Sequence, residues 1–441
     1  MHILQQLLFL LLALAAVWFF SKNVKKIARN IKLGRKESFA GSASLAWRNV
    51  LLLAFGQQKM FRKPLVALLH LFVYAGFVII NIEILEIILD GLTGKHRLFA
   101  APLGGVYVFL INAFELLALT VLLACVVFLV RRNITRVERV SSGNPELSGW
   151  PKTDANLILV TEIVLMSLFL IMNASDTLLQ SRGAEHYAAH PTGNFIVSQF
   201  LQPVLNGWSE SSLIGLERAA WWLHIAGIFA FLNYLPYSKH LHIVLAFPNT
   251  YYARQTPMGE MENMPAIQQE VLYAMQPELA PATAAEPSRF GAKDVMDLSW
   301  KNLMDAYSCT ECGRCTAACP ANQTGKLLSP RKIMMDTRDR LEEVGKNIDK
   351  NGSFVEDGKT LLHDRISTEE LRACTTCNAC VQECPVAISP LSIILQLRRY
   401  LIMEESNTPQ EWAAMFSNVE NNFAPWKFSP EERDAWTGQQ A

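Results

Sequence analysis

CTECGRCTAACP (Cys309–Pro320) and CTTCNACVQECP (Cys374–Pro385) decide the fold of the second half of this 441-residue chain. Both copies read Cys-x2-Cys-x2-Cys-x3-Cys-Pro, the ferredoxin spacing for cubane [4Fe-4S] clusters. They hold eight of the nine cysteines of the chain. Because disulfide frameworks are typical of short secreted domains, this spacing in a long chain predicts metal ligands. The cofactors that it indicates are two [4Fe-4S] clusters.

The ligands of the two clusters are predicted to interleave, since the fourth cysteine of each ferredoxin copy ligates the other cluster. The first cluster is then held by Cys309, Cys312, Cys315 and Cys384, and the second by Cys374, Cys377, Cys380 and Cys319. Zinc is the alternative metal, but it usually takes its thiolates from two Cys-x2-4-Cys pairs that form separate knuckles. The remaining Cys125 lies in an apolar run and is expected to be a small buried side chain.

Four helices are expected around the cysteine loops. SWKNLMDAYS and STEELRA enter the two loops, and SPRKIMMDTRDRLEEV and SPLSIILQLRRYLIM follow them. They predict an α-helical ferredoxin-type domain over residues 301–403. Residues 249–300 are predicted to be a linker, with a helix in ENMPAIQQEVLYAMQ and an Ala/Pro-rich hinge at ELAPATAAEP. The sequence contains no motif for nucleotide, flavin or hydrolytic chemistry.

The first 248 residues are expected to lie in a membrane. Hydrophobic residues make up 51% of the chain, and five apolar stretches occur at about 3–20, 64–89, 103–130, 157–175 and 219–247. A helix needs about 20 apolar residues to cross a bilayer core. The predicted fold is therefore all-α: a five-helix transmembrane bundle followed by a ferredoxin-type domain.

The distribution of lysine and arginine predicts the orientation of these spans. Residues 21–63 and 131–156 are rich in both, whereas 91–102 and 176–211 hold only Lys95, Arg97 and Arg182. Since basic loops stay in the cytoplasm, the N-terminus is expected outside the cell (inner) membrane and the cluster domain in the cytoplasm. Basic residues follow the first stretch and none precedes it, which indicates a retained anchor and not a signal peptide. A net charge of zero gives no sign of a nucleic-acid partner.

Histidines are the informative residues of the apolar stretches. Two histidines on facing helices can fill both axial positions of a haem iron. We expect His70 and His242, which both lie near the cytoplasmic edge, to hold one b-type haem. On a continuous helix His224 would share a face with His242, and His240 would point away. His224 and His240 are alternates, as haem ligands or at a quinone site, and ordinary hydrogen-bonded histidines are the competing interpretation.

Three segments together resemble a known family. SCTECGRCTAACPANQTGKLLSPRKIM, the second cysteine loop and WWLHIAGIFAFLNYLPYSKHLHI look like the membrane-bound iron–sulfur oxidoreductases related to heterodisulfide reductase. That family includes proteins that pass electrons from electron-transfer flavoprotein to quinone. The resemblance also implies a membrane domain like the cytochrome b subunit of respiratory nitrate reductase. In that cytochrome a second histidine follows ten residues after the first, but Ile80 stands at that offset from His70, which leaves a second haem open.

The chain departs from family members that work alone, because these continue into a domain with cysteine-rich CCG motifs. No cysteine follows Cys384, and NVENNFAPWKFSPEERDAW looks like the lead-in to such a domain. The resemblance therefore implies a separate CCG-type partner subunit, with residues 404–441 as the segment that docks it. We expect a redox subunit that links a cytoplasmic donor, such as electron-transfer flavoprotein, to the quinone pool. A haem-free anchor for a soluble iron–sulfur complex is the rival interpretation.

Overall fold

The computed structural model describes residues 3–38, 41–141, 143–189, 191–281, 289–427, 429–432 and 434–439. Within these ranges the chain is helical, and isolated β-bridges are the only extended pairing. The expected all-α class is confirmed.

The first 251 residues form ten α-helices among the residues described. They are α1 (Ile3–Ile31), α2 (Ala43–Asn49), α3 (Pro64–Thr93), α4 (Ala100–Leu103), α5 (Gly105–Asn133), α6 (Trp150–Ser181), α7 (Glu185–Ala188), α8 (Gln202–Leu205), α9 (Glu210–Tyr234) and α10 (His242–Tyr251). A π-helical segment covers Val50–Phe55, and 3-10 turns cover Met60–Arg62, Pro145–Leu147, Ser198–Phe200, Leu235–Tyr237 and Lys239–Leu241.

Five long helices pack into a closed ring. Around it α1 contacts α3, α3 contacts α5, α5 contacts α6, α6 contacts α9, and α9 returns to α1. Phe9, Phe114, Phe169 and Trp221 lie in the shared apolar core. Among the described residues, four of the five helices, α1, α3, α5 and α6, are long and apolar enough to cross a membrane. Four of the five predicted spans thus have helices of sufficient length and apolar character, whereas α9 begins with ESS and carries Glu217, Arg218 and His224.

The fifth apolar stretch is not one continuous helix. α9 ends at Tyr234, and Pro236 lies in the 3-10 turn that follows. Proline lacks the backbone N–H of a helical residue, and its ring clashes with the preceding turn. A second 3-10 turn then leads into α10. The continuous helix assumed over 219–247 is therefore wrong, and the common face of His224 and His242 that depended on it does not form.

The second part of the chain forms the cluster domain. Its α-helices are α11 (Pro265–Met275), α12 (Trp300–Ser308), α13 (Arg314–Ala317), α14 (Pro320–Gln323), α15 (Pro330–Asn351), α16 (Thr368–Arg372), α17 (Ala379–Glu383), α18 (Pro390–Met403) and α19 (Gln410–Asn422). Short 3-10 turns cover Pro277–Leu279, Val295–Asp297, Pro430–Glu432 and Ala435–Gln439. The four helices expected around the cysteine loops are confirmed as α12, α15, α16 and α18. Leu303, Ile333 and Leu397 are fully buried in the core between them.

The predicted linker is partly structured. The expected helix within 262–276 is present as α11. The hinge at 278–287 falls largely outside the described residues, because 282–288 are not among them. Residues 289–299 pack into the cluster domain, where Ala292, Val295 and Leu298 are fully buried.

The cluster domain rests on the end of the bundle where α1 ends and α3 begins. Lys26 and Arg29 of α1 bind Asp349 of α15 at 2.6 and 2.5 Å. Asn30 donates to the Tyr307 hydroxyl over 2.9 Å. The loops at this end are the basic ones, so the cluster domain lies beside the Lys/Arg-rich loops of the bundle.

Candidate metal centres

The two cysteine loops adopt the same backbone path. Two positions after its first cysteine, each loop holds a left-handed residue, Glu311 (φ 54°) or Thr376 (φ 55°). Two positions later a second one follows, Gly313 (φ 67°) or Asn378 (φ 61°), before the short helix α13 or α17 begins. Glycine and asparagine accept this conformation more readily than other residues. The sequence repeat is therefore also a structural repeat.

Each loop closes around a cavity with a cysteine from the other loop. The first cavity is lined by Cys309, Cys312, Cys315 and Cys384. The second is lined by Cys374, Cys377, Cys380 and Cys319. These are the two sets of four that the ferredoxin rule predicts. Below, cavity 1 and cavity 2 refer to these two sites.

The donor set of both cavities fits an iron–sulfur cube better than a single ion. In the part of the chain that the structure describes, no three Cys, His, Asp or Glu side chains converge tightly enough to hold one metal ion. The cysteines instead surround an open volume. Backbone N–H groups point at two of the sulfurs, from Thr376 to Cys374 Sγ at 3.4 Å and from Ile388 to Cys384 Sγ at 3.3 Å. Such donors tune the potential of a cluster.

Burial raises the pKa of the Cys309 and Cys384 thiols to about 12. Without a positive charge beside them these thiols stay protonated, because burial disfavours the thiolate. A metal centre supplies that charge and displaces the protons, as metal ligation requires.

Cavity 1 lies against the basic loops of the membrane part. Arg139, from the loop after α5, donates to the Cys312 carbonyl over 2.8 Å. Lys59, from the loop before α3, donates to the Cys384 carbonyl over 3.0 Å. Both cations bind the backbone of ligand-bearing residues, so this face of cavity 1 is closed by the bundle.

A buried ion-pair triad ties cavity 1 to the turn between α9 and α10. Glu311, 4% exposed, pairs with Lys239 of that turn and with Arg338 of α15, the latter at 2.8 Å. Burial opposes ionisation of Glu311, but the two cations outweigh it and lower its pKa. The triad could not be found from the sequence, because Lys239 and Glu311 lie 72 positions apart.

Cavity 2 has the most exposed cysteine of the two sites. Cys377 is exposed, whereas Cys309, Cys319, Cys380 and Cys384 are buried. Arg372, just before this loop, stacks on Trp412 of α19 at 5.9 Å. The C-terminal segment therefore begins beside the open cavity.

Three of the four predicted histidines come together beneath cavity 1. His70 lies near enough to His240 and His242 for their charged forms to interact. The rings of His240 and His242 are 5.6 Å apart, contrary to the expectation that His240 points away. The break at Pro236 causes this difference, since it replaces helical spacing by two tight turns.

His70 and His242 have similar hydrogen bonds. His70 Nδ1 lies 3.0 Å from Gln57 Oε1, and His242 Nδ1 lies 3.0 Å from the Lys239 carbonyl. An oxygen acceptor at Nδ1 leaves the Nε2 lone pair free, an arrangement that is usual for ligating histidines. His240 differs, because its Nε2 is buried without a hydrogen-bond partner. His70 and His242 are thus the two rings of this group that could offer Nε2 to a metal.

His224 lies apart from this group. It is buried within α9, 6.2 Å from Phe169, and its Nδ1 has no hydrogen-bond partner. It stands ten residues before the end of α9, or about 15 Å along the helix.

A set of buried carboxyl groups at the far end of the bundle was not predicted either. NIEILEIILD places Glu83, Glu86 and Asp90 three and four residues apart on α3. All three are buried. This spacing puts them on one helix face, so the signal was present in an otherwise apolar stretch.

Comparison with known proteins matches residues 308–388 to the 4Fe-4S dicluster domain family. The chain is 26% identical over 459 residues to the "Probable iron-sulfur-binding oxidoreductase FadF" of Bacillus subtilis, which aligns 98% of this chain with 60% of that protein. It is 25% identical over 441 residues to the "EtfAB:quinone oxidoreductase" of Syntrophomonas wolfei, aligning 95% of this chain with 56% of that protein. No solved structure matches the chain significantly.

A third relative is similar over a shorter stretch of the chain. It is a component of the ferredoxin/F(420)H(2)-dependent CoB-CoM heterodisulfide reductase of Methanosarcina acetivorans, 33% identical over 120 residues, which are 27% of this chain and 60% of that protein. The chain thus spans 60% or less of the length of the first two relatives. The domain match supports a 4Fe-4S dicluster domain in this chain, and the first two relatives are named as oxidoreductases.

Proposed function

We propose that this chain is a membrane electron-transfer subunit that links a cytoplasmic donor to the quinone pool. One observation carries the proposal: residues of the first four-cysteine site bind basic loops of the bundle and the turn before His242, whereas the second site exposes Cys377. Each [4Fe-4S] cluster, when bound, takes up and releases an electron. Cavity 2, with the exposed Cys377, is the contact point for a soluble partner, and cavity 1 exchanges electrons with the membrane part.

The protein residues hold these sites in fixed positions. Cys319 and Cys384 cross between the loops and keep the two cavities adjacent. Glu311 and Lys239 join cavity 1 to the turn that carries His240 and His242. Electron transfer depends steeply on distance, so a rigid connection here serves the reaction.

His70 and His242 are the proposed axial ligands of one b-type haem, in a membrane part that resembles the cytochrome b subunit of nitrate reductase. Their Nδ1 contacts with oxygen support this assignment. His240 and His224 are alternates, as ligands or at the quinone site, and a second haem would need His224. The basic loops beside the cluster domain favour a cytoplasmic location for both clusters.

α19 is the proposed docking site of a CCG-type partner subunit. Met415, Phe416 and Val419 are exposed on one helix face, and Trp426 is 70% exposed beyond it. The face starts at Trp412, beside the loop of the open cavity. A partner bound there lies next to cavity 2, and electron-transfer flavoprotein is the donor that such a subunit would serve.

The test is a cofactor count on anaerobically purified protein. About eight iron atoms and eight acid-labile sulfides per chain are expected from two cubanes, together with one haem. His70→Ala and His242→Ala should each abolish the low-spin haem in reduced-minus-oxidised spectra, whereas His224→Ala should keep it. Stoichiometric zinc in place of iron would contradict the cluster proposal. A full cluster content with no haem would favour the rival function, a haem-free anchor for a soluble complex.

A further inference from the structure

A second polar site lies in the bundle, at the end opposite the cluster domain. Five buried carboxyl groups on three apolar helices belong to it: Glu83, Glu86 and Asp90 on α3, Glu115 on α5, and Asp176 on α6. Arg97, 6% exposed, reaches them from the loop after α3. Ionisable groups within membrane-spanning helices are costly, so they are functional candidates by default.

Four of these carboxyl groups hold the far loops in place, because each accepts two or more hydrogen bonds. Asp90 accepts from Arg97 N (2.8 Å) and Leu98 N (3.0 Å), and Glu86 accepts from Phe99 N and the Tyr107 hydroxyl, both at 2.8 Å. Glu115 accepts from Val197 N (2.8 Å), Ser198 N (3.1 Å) and Asn173 Nδ2 (3.0 Å). Asp176 accepts from Arg97 Nε and is bound by His96 Nε2 (3.2 Å) and Gln180 Nε2 (3.2 Å). Their role is structural, and donors stabilise their ionised forms.

Glu83 differs from the other four. It is 4% exposed, and its Oε2 is buried without a hydrogen-bond partner. It lies one helical turn from Glu86 and within electrostatic reach of Arg97 and Glu115. Ser198 Oγ, next to Glu115, is a second fully buried atom without a partner. Two unsatisfied polar atoms in one polar region indicate water molecules between them and the network.

The balance of charge singles out Glu83 as the protonated group. If all five carboxyl groups were ionised, Arg97 and a protonated His96 would leave three negative charges uncompensated. Within apolar helices such excess charge is relieved by protonation. Glu83 receives no donor that would stabilise its anion, so it holds a proton most readily among the five.

We infer that Glu83 is the proton carrier of a site that exchanges protons with the aqueous phase opposite the cluster domain. Glu83 stands ten residues before the end of α3, about 15 Å inside the bundle by helical rise. His96, whose side chain is 14% exposed and bound to Asp176, connects the network to that aqueous face. The site therefore reaches both water and the bundle interior.

This inference rests on the proposed function, because quinone chemistry supplies the reaction that needs protons. Reduction of one quinone to quinol consumes two electrons and two protons. The electrons come from the donor through this chain. Each proton leaves the Glu83 carboxylic acid as its O–H bond breaks, and forms an O–H bond on the quinone. Water from the far face then returns a proton to Glu83, and quinol oxidation runs the same steps in reverse.

The experiment compares Glu83→Gln with Glu162→Gln in the full chain. Glu162 is a partly buried glutamate of α6 outside the network, and it receives the same substitution as a control. Infrared spectra in H2O and D2O record the C=O stretch of exchangeable protonated carboxyl groups. The band of Glu83 should be lost in Glu83→Gln, and that same band should be retained in Glu162→Gln, which can remove only a band of Glu162 itself. Turnover with a soluble quinone should fall on the order of 10²-fold in Glu83→Gln alone, as for loss of a positioned proton donor.

Each outcome separates the two proposals. If Glu83→Gln keeps every exchangeable carboxyl band, or if both variants lose turnover equally, the proton carrier is overturned. If the band is lost but the unsubstituted protein reduces no quinone, the proposed function fails and the protonated site stands. If the band is lost while quinone turnover stays normal, Glu83 is a protonated structural group and the transfer role is overturned. Equal iron and haem contents in both variants serve as the folding control.

Discussion

The two cysteine loops have the same spacing and the same left-handed positions, yet their surroundings differ. Cavity 1 is covered by Lys59 and Arg139 of the membrane part, and its loop carries the buried Glu311. Cavity 2 has an exposed Cys377 and lies beside the C-terminal helix. The local pattern therefore determines what a loop can bind, and long-range contacts determine what it can exchange electrons with. The four predictions below are tests of this difference.

Removal of the crossing cysteines should have the largest effect. Cys384→Ala and Cys319→Ala should each remove one cluster, about four of eight irons, although each residue lies in the loop of the other cluster. The double variant Cys384→Ala with Cys309→Ala should lose the same four irons. Cys384→Ala with Cys377→Ala should lose all eight. Iron and acid-labile sulfide are measured on anaerobic protein, with Cys125→Ala as the full-content control.

The reverse pattern of iron loss would refute the crossing. In that case Cys384→Ala with Cys377→Ala would lose four irons, since both cysteines would serve one cluster.

Equivalent positions in the two loops should differ strongly in stability. Glu311→Ala leaves the largely buried Lys239 with Asp154 at 3.9 Å and Arg338 with the exposed Asp339 as their remaining partners. Breaking a buried pair costs about 3–5 kcal/mol. Thr376→Ala, at the same loop position in cavity 2, should change stability by less than about 0.5 kcal/mol. Thermal unfolding of the cluster-loaded protein measures both. An equal loss of stability in Glu311→Ala and Thr376→Ala would show that the surroundings of the two loops do not affect their stability.

The second left-handed position should show a smaller difference. A Cβ at Gly313 would lie 2.7 Å from Arg331 Nη1 and 2.8 Å from Arg139 Cγ. Gly313→Ala should therefore cost about 1–3 kcal/mol through overpacking and its positive φ. Asn378→Gly, which removes a Cβ at the equivalent position of the other loop, should stay within about 0.5 kcal/mol. An unchanged midpoint of thermal unfolding in Gly313→Ala would mean that the side chains of Arg331 and Arg139 move aside without loss of stability.

The partly exposed ion pairs of Lys26 and Arg29 with Asp349, which join the bundle to the cluster domain, should be sensitive to pH and salt. Hydrogen bonds from Lys26 and Arg29 lower the pKa of Asp349 below its ordinary 3.8. Its contribution is therefore complete above pH 3.8 and lost as the pH falls through the lowered value. At neutral pH Asp349→Asn should cost about 0.2–1 kcal/mol, as for partly exposed ion pairs, and less in high salt. A destabilisation that persisted in strong acid would point to lost packing instead.

Local features of the site were predictable from the sequence. The cysteine spacing predicted both sets of four and the helices around them, because loop, helix start and ligand lie within a few residues. The predicted direction of His240 was wrong, because it assumed one continuous helix through Pro236. Two 3-10 turns interrupt the helix there. His70 and His242 were expected near each other from their depth, but the position of His240 beside His242 followed only from the structure.

Contacts between distant segments could not be predicted. Lys239 and Glu311 meet because the cluster domain folds back onto the bundle, and no periodicity reports such docking. Glu83 was not identified from the sequence for a different reason. Its spacing to Glu86 was visible, but only the structure shows that its oxygen has no partner while the oxygens of Glu86 do.

The crossing of Cys319 and Cys384 also governs how the protein matures. A nascent chain that has emerged only through the first loop holds Cys309, Cys312 and Cys315, three of the four sulfurs of cavity 1. The fourth arrives when the second loop is synthesised and folded, so neither site is complete before both loops are. Cluster insertion is thereby postponed until the domain is whole. A cell cannot accumulate a chain with one finished centre and one unmade loop.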